Sequence, residues 1–224
     1  MIMKDILSFL SGLSANNNRD WFDSHRDLYQ QCRKNFESFT EELIAGIQHF
    51  DPGIGAIKAK DCVFRIFRDT RFSNDKTPYK TNMGAFIARG GRKSPYSGYY
   101  IHLEPEGKSF AGGGLYMPPS ESLKKVRQEI FYNINEFKAI LQDKEFRRHF
   151  DTLDKMGDEL KKAPQGYPPD WPDIELLKLK HYVVGEYLKD GDLTNDKFKD
   201  KALASFKAMH PLVSFTNRAL GMEM

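Results

Sequence analysis

A chain of 224 residues, 40% apolar and 13% aromatic, has enough apolar surface for a sizeable core, which excludes global disorder. Its net charge of +3 is too mild to mark a nucleic-acid binder by composition, and two cysteines exclude a disulfide framework. Nowhere do eighteen apolar residues run together, and no basic stretch leads into an apolar run near the first residue, so no membrane span and a cytoplasmic setting are expected.

Ile6, Leu7, Leu10 and Leu13 fall at helical spacing within residues 4–13, and Gly12 with the run 14–18 ends that pattern. A second helix is expected from Asn18 or Asp20, both adequate N-caps. Its stripe of Trp21, Leu28, Cys32, Phe36, Phe39, Leu43 and Ile47 suits a helix lying across a sheet better than a coiled-coil seam. Asp51-Pro52-Gly53 closes it. Val63 to Arg68 then alternates, which predicts a strand with Val63, Arg65 and Phe67 on one face and Phe64, Ile66 and Arg68 on the other. A polar loop follows to Lys80, and further strands are expected at 83–88, 99–103 and 109–117. Their short connections, a charged turn at 90–94 and a hairpin at 104–107, argue for an antiparallel meander.

Helices are predicted after Pro118-Pro119, at 134–142, at 143–151 and at 173–178, the last following a proline-rich, aromatic connector at 164–172. A strand at 181–188 and a final helix from Asp196, kinked or divided by Pro211, complete the pattern. The expected architecture is one α+β domain over residues 1–224. Its parts are N-terminal helices over 4–50, a β-meander of about four strands over 57–117 with a later strand, and a helical half over 119–222.

Charge is distributed unevenly. Residues 58–93 carry ten Lys/Arg against three Asp, a local +7 on a chain of +3. Arg68, Arg71, Lys76 and Lys80 are candidate anion ligands, with Ser73 as a hydroxyl donor and Phe72 or Tyr79 as stacking rings. Asp69 and Asp75 are supporting acids, better suited to salt bridges than to holding a proton among so many cations. Arg65 reads as scaffold. Gly112-Gly113-Gly114 offers either backbone amides near a helix start or a close-approach surface, with Gly113 at its centre. Six histidines show no metal-ligand spacing; His102, expected on a strand, reads as a hydrogen-bonded structural residue, with approach to the site as the alternative. No metal or cofactor is expected. Cys32 and Cys62 read as buried free thiols.

The run FRIFRDTRFSNDKTPYK (64–80), the later GGGLYMPP and the segment APQGYPPDWP with LLKLK resemble a bacterial and fungal family of conserved hypothetical proteins, a domain of unknown function. The resemblance covers roughly residues 5–215 and implies one compact α+β domain. It implies no activity, cofactor or catalytic residue. From residue chemistry the leading expectation is binding of a phosphate-bearing or other anionic ligand, a small molecule or nucleic acid, through the basic 68–80 loop. An enzyme acting on a small anionic metabolite and a scaffold protein with a structural motif are the alternatives.

Overall fold

The computed structural model describes residues 2–71 and 74–222. The chain opens with three helices, α1 (Ile2–Ala15), α2 (Arg19–Ser24) and α3 (Arg26–Gln48), and a short α4 (Ala59–Cys62). Strands β1 (Met83–Ile87), β2 (Gly98–Leu103) and β3 (Ser109–Leu115) follow. Helices α5 (Ser120–Tyr132), α6 (Ile134–Gln142), α7 (Lys144–His149) and α8 (Ile174–Lys178) lead to β4 (Tyr182–Leu188), then α9 (Asp190–Leu193) and α10 (Phe198–Ala219). The four strands form one antiparallel sheet in sequence order, so the α+β meander expected from the sequence is present.

The predicted second helix is two helices. Asn18 caps α2 through Trp21 N at 2.9 Å, as its side chain and position anticipate. The break falls at His25, whose ring stacks on Trp21 at 3.9 Å while its Nδ1 bonds to the Trp21 carbonyl at 2.8 Å. That side-chain bond competes with helical pairing and resets the phase. Leu28 is therefore exposed and Tyr29 takes the buried position. Instead of lying across the sheet, α3 runs beside α1 and α10 and meets the sheet at β1.

The helix that covers the sheet is α10, which crosses β3. It runs on through Pro211, because that proline and Lys207, whose carbonyl loses its partner, both face solvent. Alternation along the strands places Tyr99, Ile101, Ala111, Gly113, Tyr182 and Val184 on the face beneath α10, all buried. One contiguous core joins residues from Met3 to Phe215. Cys32 and Cys62 lie in it, and burial pushes their thiols up to about 11 and about 12.

Buried polar groups tie β2 to its surroundings. Asn217 on α10 accepts from Ser97 N at 2.8 Å and donates to Ser97 O at 3.2 Å. The Tyr99 hydroxyl, fully buried, donates to Asp51 Oδ2 at 2.8 Å and lies 2.9 Å from His210 Nδ1. The 90–94 turn is a 3₁₀ turn docked on α4, with the Arg92 guanidinium donating to the Lys60 carbonyl at 2.9 Å. Among the described residues, no helix is long and apolar enough to cross a membrane.

Candidate functional site

The motif segment is extended without being a regular strand. It touches the sheet at the Val63–Ala85 bridge and the Phe64 N–Gly84 O bond of 2.9 Å, then doubles back on itself. Lys80 N donates to Ile66 O at 2.8 Å and Arg68 N to Pro78 O at 3.0 Å. Asn17, from the turn between α1 and α2, grips this hairpin by reciprocal bonds of 3.0 and 3.1 Å to the Tyr79 backbone. The Tyr79 ring is buried and stacks on Phe22 at 4.0 Å, so its face is taken and it offers no ligand platform. This irregular path also changes the expected faces. Val63 and Ile66 point inward, while Phe64 and Arg65 are both exposed.

The loop holds its own cations. Arg68 binds the Asp75 carboxylate and donates to Thr77 Oγ1 at 2.6 Å. Asp75 also accepts from the Thr77 amide and hydroxyl at 2.9 and 2.8 Å, and those bonds with Arg68 hold its carboxyl at about 2. Arg71 forks onto Asp69 at 2.9 and 2.6 Å, holding that carboxyl at about 2 as well. Lys76 donates to the Thr70 carbonyl at 2.9 Å. Phe72 and Ser73 lie outside the described residues.

Arg65 and Lys80 are placed differently. Among the described residues neither side chain makes a hydrogen bond or an ion pair, although Arg65 contributes slightly to the acidity of Asp69. Lys80 is half-buried with its Nζ 5.4 Å above the Phe64 ring. Burial, and after it the charge of Arg65, pulls the Lys80 ammonium below its usual range. Lys80, half-buried, thus feels the like charge of the exposed Arg65, whose field also reaches Asp69. Arg65, expected to be scaffold, is the exposed and uncommitted arginine of the motif.

These cations border the sheet face opposite α10. Phe64, Tyr100, Phe110 and Tyr187 form a row across it with centroids 6.2, 5.5 and 5.9 Å apart. Tyr187 is 76% exposed and Phe64 37%, while Tyr100 and Phe110 are half-buried. Glycines let the rings recline on the backbone. The Tyr100 hydroxyl end lies over Gly84, and the Phe110 ring edge lies over Gly112 and its partner Gly185. Gly113 points the other way, against Met209 beneath α10. Because β3 is paired with both β2 and β4, the amides of 112–114 belong to the sheet ladders. The triple glycine is a surface for close approach and not an anion pocket.

A chain of hydrogen bonds crosses the same face. Tyr100 Oη lies 3.1 Å from His102 Nδ1, and His102 Nε2 lies 2.9 Å from Glu104 Oε2. In the neutral imidazole with its proton on Nε2 towards the carboxylate, Nδ1 is left to accept from Tyr100. Burial, then Glu104, pushes the Tyr100 phenol up to about 12, so it stays a donor. The His102 ring stacks on Phe110 at 4.8 Å, which places this histidine beside the row. Sequence reading left Phe64, Tyr100, Phe110 and Tyr187 out of the site. The available signal was alternation, which sets Tyr100, His102 and Phe110 opposite Ile101, Leu103 and Ala111. Among the described residues no group of three or more His, Cys, Asp or Glu is gathered to hold a metal ion.

No curated protein and no solved structure matches this chain. The model of a family described as a conserved hypothetical protein, DUF2461, matches residues 5–215, a span that includes the motif, all four strands and the aromatic face. The chain therefore belongs to the DUF2461 family of conserved hypothetical proteins.

Proposed function

We propose that this protein binds a nucleotide or a single strand of nucleic acid on the open face of its sheet. Arg65 and Lys80 take the phosphate, and the row Phe64, Tyr100, Phe110 and Tyr187 takes the bases. The observation that carries this reading is the half-buried Lys80, without an ion pair among the described residues, whose Nζ lies 5.4 Å over the Phe64 ring at one end of the aromatic row. A phosphate balances the charge of Lys80 and Arg65, and the exposed rings of Phe64 and Tyr187 offer faces on which a base can stack. Arg68 and Lys76 hold the loop, and Arg71 adds to the field.

Fluorescence anisotropy with labelled mononucleotides and short single strands tests it. Two phosphate contacts give a slope of about −1.4 in log K against log salt, hence a roughly sevenfold loss between about 50 and about 200 mM. Arg65→Ala with Lys80→Ala flattens that slope more than Arg71→Ala with Lys76→Ala. No binding at low salt, or equal effects of the two double variants, defeats the reading.

A second reading, acid–base catalysis at the same face, is favoured by the Glu104–His102–Tyr100 chain. Asp69 and Asp75, held at about 2 by their partners, are too acidic to be the base at neutral pH. Under this reading Tyr100→Phe keeps ligand affinity and abolishes turnover of a phosphate ester. No turnover by the unaltered protein across nucleotides and aryl phosphates rules it out.

A further inference from the structure

A second cleft lies away from the sheet face, between α5 and the proline-rich connector. Its volume of about 620 Å³ is in the size range of small-molecule sites. One wall is α5, presenting Lys124, Arg127 and Gln128; the other is the connector, presenting Gln165 and Tyr167. The connector is held shut on the helix by Phe131, whose ring meets Tyr167 at 5.3 Å and Trp171 at 5.0 Å. Tyr132, 72% exposed, stands at the rim.

The chemistry of the lining is one-sided. Its charged residues are Lys124 and Arg127, with no carboxylate among them. Arg127 is half-buried and donates through Nη2 to the Leu179 carbonyl at 3.0 Å, yet makes no ion pair among the described residues. Its Nε is buried with no acceptor. By contrast, Arg218 on the surface is forked between Glu129 and Glu136. A half-buried guanidinium without an ion pair among the described residues, beside Lys124 in a cleft with aromatic walls and no carboxylate in its lining, is an arrangement that an anion completes.

We propose that this cleft binds a small molecule joining an anionic group, carboxylate or phosphate, to a flat aromatic body. The anion meets Arg127 and Lys124, Gln128 and Gln165 supply neutral hydrogen bonds, and the ring lies between Tyr167 and Tyr132. This site does not depend on the sheet-face reading, since it shares no residue with it.

Trp171 borders the wall, so its fluorescence in a Trp21→Phe background reports occupancy. Titration with phenyl phosphate and with benzoate gives a saturable change at millimolar concentrations or below, while benzylamine gives none. Which anion binds more tightly assigns the group. Arg127→Met weakens binding about tenfold or more, the scale of a lost charge-assisted contact. Should Arg127→Met fail to fold, the exposed Lys124→Glu reverses a lining charge and must weaken binding too. Arg65→Ala with Lys80→Ala leaves the titration unchanged. No saturation with either anion, an equal response to benzylamine, or full affinity in Lys124→Glu overturns the proposal.

Discussion

Gly112 and Gly185 are direct partners across β3 and β4 on the open face, yet a methyl group at each meets a different environment. At Gly112 a Cβ falls 2.8 Å from the Val184 carbonyl oxygen and 3.4 Å from two atoms of the Phe110 ring. The carbonyl cannot retreat without loosening the β3–β4 ladder, so Gly112→Ala is an overpacking change costing about 1–3 kcal/mol. At Gly185 the nearest atom is 3.7 Å away, an ordinary contact. Gly185→Ala removes chain entropy from the unfolded state and adds about 0.4–1 kcal/mol of stability. For a chain of this size each kcal/mol moves the melting temperature by about 2–4 °C. Thermal unfolding followed by circular dichroism therefore shows Gly112→Ala lowered by about 2–12 °C and Gly185→Ala unchanged or raised by up to about 4 °C. Equal melting temperatures for the two variants, or a neutral Gly112→Ala, refute the view that the close approach of the Val184 carbonyl explains this glycine.

Tyr99→Phe removes the hydroxyl that joins Asp51 to His210 inside the core and leaves a buried carboxylate short of a donor. Urea unfolding is expected to show a loss of about 1–3 kcal/mol, and an unchanged midpoint contradicts it. Arg218→Ala frees Glu129 and Glu136, which tie α5 and α6 to α10 at 2.9 and 2.7 Å. The group is exposed, so the cost is under about 1 kcal/mol and vanishes in high salt. A larger loss, indifferent to salt, would show a packing role instead. Acid should release the motif loop before the core. Asp69 and Asp75 sit at about 2 against an ordinary 3.8, so the native state binds fewer protons than the unfolded one in that window. Their contribution is complete above pH 3.8 and is lost as the pH falls towards 2. Limited proteolysis with an acid-stable protease is expected to cut within 68–77 at low pH, and Asp75→Asn to open the loop at neutral pH.

Much of the fold was legible because its signals are local. Pro119 before α5, the Asp51-Pro52-Gly53 stop after α3, the turn at 104–107 and the prolines at 164–172 each mark a boundary within a few residues. What escaped depends on contacts distant in sequence. The break between α2 and α3 comes from the His25 ring folding back on Trp21, a choice between two acceptable helical phases. The Tyr79 ring is used up by Phe22 and its backbone by Asn17, and neither partner lies near it in the chain. Within the motif, charge alone does not say which arginine is committed. Arg68 reaches forward to Asp75 and Thr77, whereas the extended path turns Arg65 out beside Lys80. The aromatic row is assembled from the registers of three strands plus the motif, and register is a property of pairs of strands.

The late arrival of β4 gives the sheet an uneven history. β1, β2 and β3 are joined by short connections and pair with little loss of loop entropy, whereas β4 must return across the whole of α5–α8 before it meets β3. In the β1–β2–β3 meander alone, the edge that β4 covers is β3, the strand with three consecutive glycines and few side chains to enforce a pairing. Such an edge accepts a foreign strand as readily as its own. At the ends of β4, Tyr182 opposite Leu115 and Leu188 opposite Ser109 are buried, so the register of the glycine-rich stretch is pinned by side-chain packing on either side of it.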